Sequence, residues 1–328
     1  VELTSSGQGA AVIGIGADGR WVAPEKFDFE VRIEPLRLLI IGLADAELVE
    51  KKTSLATWHE QLGLVAPADG GEGREIKISA ASGDVIEHFI VGEDLGVPTV
   101  GGKNSFFVRR AGEDQTYIAR GDFLIQTDII EWIERRIVDV DRDRIAGAAI
   151  APADNASFSL SRDAADARNF KIDKVPDGRE VLSETSANGV GAVLSNLTFD
   201  DVLPLADVDL SGAGKAMYKT FDGLEIDLTV AKKGEDFWVS LKATANPPEP
   251  QEAADETGSA AEGDETAVAA TPAPPLKSAN DVIAEAFLIN QQAEKWAYKL
   301  PNWKGSLLAR DLESLLVPLE VEGEGDAE

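Results

Sequence analysis

The sharpest chemical spacing in the chain is made of glycines. Gly14-Ile15-Gly16-Ala17-Asp18-Gly19 matches G-x-G-x-x-G and follows a β-prone apolar run. A dinucleotide site also needs a helix opening at the third glycine, so that its N-terminus faces the pyrophosphate. Here Arg20-Trp21-Val22-Ala23-Pro24 follows, a strand closed by proline. The glycines are therefore assigned to a hairpin turn, and no cofactor is expected.

Asp207-Val208-Asp209-Leu210-Ser211-Gly212 resembles the first half of a calcium loop, which makes Asp207, Asp209 and Ser211 the candidate metal ligands. A calcium loop of that kind needs a bidentate Glu at its twelfth position, and Tyr218 stands there. A solvated acidic turn is the preferred reading. Asp139, Asp141 and Asp143 alternate among Arg135, Arg136, Arg142 and Arg144, a mixture that predicts surface ion pairs rather than a metal cage. The two histidines, His59 and His88, lie in different elements and outside any H-E-x-x-H spacing. There is no cysteine, so thiolate nucleophiles, disulfides and zinc ribbons are excluded together. No G-x-S-x-G and no P-loop occurs, and no catalytic residue is assigned. A carboxylate-based hydrolase stays open as an alternative, because Asp and Glu are everywhere and their separation is invisible in sequence.

Aromatic side chains give the one candidate docking surface. Trp21, Trp58, Trp132 and Trp238 sit among apolar neighbours and read as core. Trp296, Tyr298 and Trp303 cluster around Pro301 beside Lys295, Lys299 and Lys304. They are expected either to fold back onto the preceding strands or to meet a partner.

The elements that would position these residues alternate between two periods. Residues 10–24 read as a hairpin around Asp18-Gly19. Apolar residues at 33, 36, 39, 40 and 43 predict a helix with Pro35 in its first turn. Residues 46–53 predict a strand, and Ser54 a cap for a short helix closed by Gly63. Alternating runs at 75–79 and 85–91, then 105–110 and 115–120, predict a meander and a second hairpin, followed by a short helix holding Ile129, Ile130, Trp132, Ile133 and Ile137. The order then restarts: strands at 145–150, 157–161 and 169–172, a helix at 188–197, a strand at 199–205, and a second meander over 216–241 with turns at Asp222-Gly223 and Lys233-Gly234. Helices are expected over 280–298 and 305–316.

These signals predict an α+β chain of two similar modules of mainly antiparallel strands, each running hairpin, helix, strand, meander, helix, as in an internal duplication. The first module is placed at 1–144 and the second at 145–245. Residues 276–318 would supply C-terminal helices that complete the second module. Residues 246–275 carry six prolines and seven acidic side chains but no aromatic, Lys or Arg. That composition predicts a disordered insert, and 319–328 an acidic tail.

The 328 residues suffice for two cores. With 31 basic against 59 acidic residues the net charge is −28, which opposes binding to nucleic acid or anionic lipid. No apolar run approaches the length of a membrane span. The chain opens on Val1 rather than Met, so removal of a leader, an anchor or a tag is expected.

Several stretches carry a resemblance. Gly19-Arg20-Trp21-Val22, Leu43-Ala44, Leu48-Val49-Glu50 and Leu62-Gly63-Leu64 come in order. Ile76-Lys77-Ile78, Gly92, Phe106-Phe107-Val108-Arg109 and Asp128-Ile129-Ile130-Glu131-Trp132 continue it, as do Trp296-Ala297-Tyr298-Lys299-Leu300-Pro301 and residues 312–316. The order resembles a bacterial domain-of-unknown-function family encoded beside gliding-motility-type ABC transporter components. The resemblance implies an auxiliary envelope protein, periplasm-facing and tethered to the inner membrane by an N-terminal helix that this chain lacks, with transporter or gliding-type membrane subunits as partners. It carries no catalytic residues. The expected function is a non-catalytic envelope accessory or scaffold, with a carbohydrate- or peptide-binding module as the alternative.

Overall fold

A computed structural model describes residues 1–7, 9–96, 103–248 and 276–318. The proposed insert, from residue 249 on, and the acidic tail lie outside the described residues. The chain divides into two units, Val1–Arg135 and Arg136–Glu328.

The first unit is built on a seven-stranded antiparallel sheet. Its strands are β1 (Glu2–Thr4), β2 (Ala10–Val12), β6 (Glu47–Lys51), β7 (Arg74–Ser79), β8 (Val85–Asp94), β9 (Asn104–Arg110) and β10 (Thr116–Gly121), in the order β2-β1-β7-β8-β9-β10-β6. A small sheet of β3 (Gly14–Ile15), β4 (Trp21–Ala23) and β5 (Phe29–Glu30) precedes the 12-residue helix α1 (Ile33–Ala44). Gly14 pairs with Val22 and Ile15 with Trp21, so the glycine run is the expected hairpin, with Gly19 at φ 81°. One face of the large sheet packs Ile90 against Leu64 and Ala66. The loop carrying Leu64 is pinned by buried Arg109, whose Nε donates to the Leu64 carbonyl at 2.8 Å. Gly92 lets that loop approach, since a Cβ there would lie 2.1 Å from the Leu62 carbonyl oxygen.

The second unit is built on an eight-stranded antiparallel sheet, ordered β14-β13-β12-β17-β18-β19-β20-β16. These are β12 (Ile145–Ala151), β13 (Phe158–Ser161), β14 (Lys171–Ile172), β16 (Asp201–Pro204), β17 (Gly214–Thr220), β18 (Leu224–Lys233), β19 (Asp236–Ala245) and β20 (Trp296–Leu300). β11 (Arg136–Val138) and β15 (Leu197–Thr198) pair separately. The helices are α2 (Asn188–Gly191), α3 (Ala279–Ala293) and α4 (Asn302–Leu308). Period-2 alternation buries Leu224, Ile226, Leu228 and Val230 on β18 and Phe237, Val239, Leu241 and Ala243 on β19. On that face α3 contributes Val282, Ala286, Ile289 and Ala293, and the Tyr218 hydroxyl donates to the Val190 carbonyl of α2 at 2.8 Å.

Two expectations are corrected. The molecule is mostly β, with four antiparallel sheets and four α-helices among the described residues, rather than an α+β duplication. The strand orders differ: the chain start enters the first sheet beside β7, whereas the chain end enters the second between β19 and β16. Several segments expected to be helical are also shorter or of another type. The 188–197 helix shrinks to one turn, the helix expected from Ile129 to Ile137 is a 3₁₀ turn over Ile129–Trp132 with Ile137 in β11, and the helix assigned to 280–298 ends at Ala293. Beyond it Trp296–Leu300 alternates apolar and polar side chains and pairs on both edges as β20.

Candidate functional site

The residues singled out by spacing are scattered and held in structural contacts. Asp209 and Ser211 form a turn in which the Ser211 N–H donates to Asp209 Oδ1 at 2.9 Å, with Lys233 3.6 Å from the carboxylate. The Ser211 hydrogen bond, followed by the Lys233 charge, holds Asp209 below the usual carboxylate range. Asp207 closes a 3₁₀ turn and is exposed. Among the described residues no group of three His, Asp or Glu is arranged to hold a metal ion. His59 is buried with Nε2 3.0 Å from the Asp114 carbonyl oxygen, and His88 pairs with Glu75 of the neighbouring strand.

The aromatic trio is divided. Tyr298 is fully buried, its ring 5.1 Å from Phe199 and its hydroxyl donating to the Gln292 carbonyl. Burial raises its pKa. Trp296 is half-buried on β20, and Trp303 alone is largely exposed. The three therefore form no common surface.

Arg144 does not join the surface ion pairs expected around Asp139, Asp141 and Asp143. It is buried at the head of β12, with Nε 2.8 Å from Asp222 Oδ2 and Nη2 2.8 Å from Glu285 Oε2. Lys277 Nζ lies 2.9 Å from the same Glu285. Burial alone would depress the guanidinium pKa; the hydrogen bonds it donates to Glu285 and Asp222 raise it instead. Burial would likewise raise both carboxylates, but Arg144 holds each below its ordinary value. The group ties α3 to the sheet as a structural ion cluster. Asp139 and Asp141 instead accept backbone N–H groups from Asn196 and Asp143.

Among the described residues, two surfaces left open by internal contacts bear on docking. The first is on α1. Leu36 and Leu39 face the core, and Gly42 lets the helix settle where a Cβ would meet the Asp122 carbonyl oxygen at 2.4 Å. Beside the exposed Glu34–Arg37 ion pair, an apolar side of the helix stays uncovered: Leu38 is 60% exposed and Ile41 45%, with Ile33 and Ile40 also exposed. Leu38 and Ile41 line an open cavity of about 670 Å³ with Phe123 and the 71% exposed Leu124.

The second surface is the outer face of the β12–β13–β17–β18–β19 sheet. The residues alternate with the core-facing set, so cross-strand rows Ser159–Ala149–Met217–Asp227–Lys242 and Ala151–Lys215–Thr229–Ser240 share this face. Small side chains keep the floor low, and α3 forms a wall with Phe287, Gln291 and Glu294. The result is an open trough of about 1440 Å³. Asn290 fixes that wall: its side-chain amide donates to the Ala243 carbonyl and accepts the Ala243 N–H, both at 2.8 Å. Sequence reading missed both surfaces. Each depends on which face of an element is left uncovered, and only tertiary packing decides that.

A family model described as a domain of unknown function (DUF4340) matches residues 21–216. No curated protein and no solved structure matches the chain.

Proposed function

The chain belongs to the DUF4340 family, and from that premise and the geometry we propose that it is a non-catalytic accessory or scaffold protein of the bacterial envelope, acting beside an ABC-type transport or gliding-type assembly. It works by docking, and α1 is the docking element. The observation that carries this reading is the uncovered apolar side of α1, continued by Leu124. An exposed apolar patch of this kind, rimmed by Arg32, Asp45 and Asp122, marks a protein contact. The partner is a subunit of the membrane assembly that presents a complementary apolar segment. No helix among the described residues is long and apolar enough to cross a membrane.

Site-specific photo-crosslinking tests this in cells that express the protein at its natural level. A crosslinker replacing Leu38 or Ile41 should yield an adduct with a transport-assembly subunit, and one replacing exposed Lys51 should not. Adducts that are absent, or identical at all three positions, would remove α1 as the docking element.

A further inference from the structure

We infer that the trough on the outer sheet face of the second unit binds an extended acidic peptide segment of a partner protein. This goes beyond docking at α1, because it concerns another unit and another chemistry. The argument begins with charge. The chain carries 59 acidic against 31 basic residues, so a lysine on its surface has an excess of carboxylates to pair with. Lys171, Lys219, Lys233, Lys277 and Lys299 of this unit do so, whereas Lys232 rests on the Phe237 ring and buried Lys304 donates to the Val193 and Ser195 carbonyls. Lys174, Lys215 and Lys242 line the trough, and none of them makes an ion pair among the described residues. Against them the trough holds only Asp227 and Glu294. The lining therefore carries one more cation than anions, on a molecule of net charge −28. Screening confines attraction to roughly one Debye length, about 8 Å at physiological salt. A ligand inside the trough thus feels these lysines more than the distant acidic surface.

Shape and lining then select among anions. The trough is open rather than enclosed, and it runs across five strands, which suits a chain and not a compact small molecule. A glycan would be expected to stack on an aromatic platform, whereas the one exposed aromatic ring here, Phe287, stands on the wall. Met217 and Leu205 add apolar contacts. An extended peptide that alternates apolar and carboxylate side chains turns all its carboxylates to one side, where they can face Lys215 and Lys242 on the floor. The rigid floor, fixed by strand pairing, and the wall, fixed by Asn290, limit the ordering cost on the protein side.

The test uses the whole chain and labelled peptides of about ten residues, ~33 Å when extended. One alternates Glu and Val, and one alternates Gln and Val. Binding is read by fluorescence anisotropy. The acidic peptide should bind at least about tenfold more tightly than the neutral one, and raising the salt to about 0.5 M should erase most of that difference. The double variant Lys215→Glu/Lys242→Glu should lose the preference while keeping the parent circular dichroism spectrum and unfolding midpoint. Lys51→Glu, on the first unit, should leave binding unchanged, as should Leu38→Glu/Ile41→Glu, so the α1 reading stands or falls separately. No binding of the acidic peptide, equal binding of the neutral one, an unaffected double variant, or tighter binding of an acidic polysaccharide would each overturn the inference.

Discussion

At the scale of single residues, the second unit is organised by cations that the sequence disguises as surface charge. Arg144 satisfies Asp222 and Glu285 at once, and all three side chains are largely out of water. Removing the cation leaves buried Asp222 with only neutral donors, the Thr220 hydroxyl and the Lys277 N–H, and leaves Glu285 with Lys277 alone. Arg144→Leu should therefore cost about 3–5 kcal/mol, read by urea denaturation. The pH dependence follows from the direction of the shifts. Asp222 and Glu285 have folded pKa values below their unfolded ones. Their contribution is then complete above the ordinary carboxylate range and fades as pH falls through the folded values. The gap between parent and Arg144→Leu should be widest near neutral pH and should narrow below about pH 4; a gap constant from neutral to strongly acidic pH would contradict the assignment. None of this was legible beforehand, since the partners of Arg144 lie 78 and 141 residues away. Arg162 is hidden in the same way. Its side chain is wholly buried and donates to the carbonyls of Ile145, Arg142, Asp143, Ala165 and Ala167. Local spacing reports neighbours on the chain, and these partners are neighbours only in the fold.

At the scale of elements, local signals and tertiary decisions separate cleanly. α1, β6, the Asp18-Gly19 hairpin and the β17–β18–β19 meander stand where periodicity and turn chemistry put them, because each is specified by its own residues. The Asp222-Gly223 turn is one example, with Gly223 at φ 90° and the Asn246 carbonyl oxygen 2.3 Å from where a Cβ would sit. β20 was misjudged as helix because α3 runs almost directly into it; its partners, β19 and β16, come from far upstream. The duplication failed for the same reason, since alternating helices and strands look alike whatever the sheet order. Two close approaches can be tested. Gly42→Ala puts a methyl group against the Asp122 backbone, and α1 must shift; a loss of roughly 1–3 kcal/mol is expected. Asn290→Leu keeps the volume but orphans the N–H and C=O of Ala243 at a strand edge, again costing about 1–3 kcal/mol. Amide exchange at Ala243 should accelerate in Asn290→Leu; unchanged exchange there would mean that the amide does not secure the edge.

At the scale of the whole molecule, the division at Arg135 gives each unit its own large sheet and its own buried set. In the first, Ile90 packs with Leu64 and Ala66 on one face of the sheet while Ile76 and Leu3 are buried on the other; the second gathers around Tyr218, Phe199 and Tyr298. Cooperative unfolding follows shared burial, so a lesion in one core should be felt first by the strands that share it. Arg144→Leu supplies a lesion confined to the second unit. In hydrogen exchange it should raise the rates of β12, β17, β18 and β19 together, because the ion cluster joins the head of β12 to the β17–β18 turn and to α3. β7, β8, β9 and β10 should keep the parent rates. A parallel rise in both sheets would show that the two units unfold as one cooperative body, and a rise limited to β12 would show that the cluster secures a strand end rather than the sheet. The expected pattern leaves the surface of α1 intact while loosening the floor of the trough. The same variant should therefore weaken capture of the acidic peptide without disturbing crosslinking through Leu38.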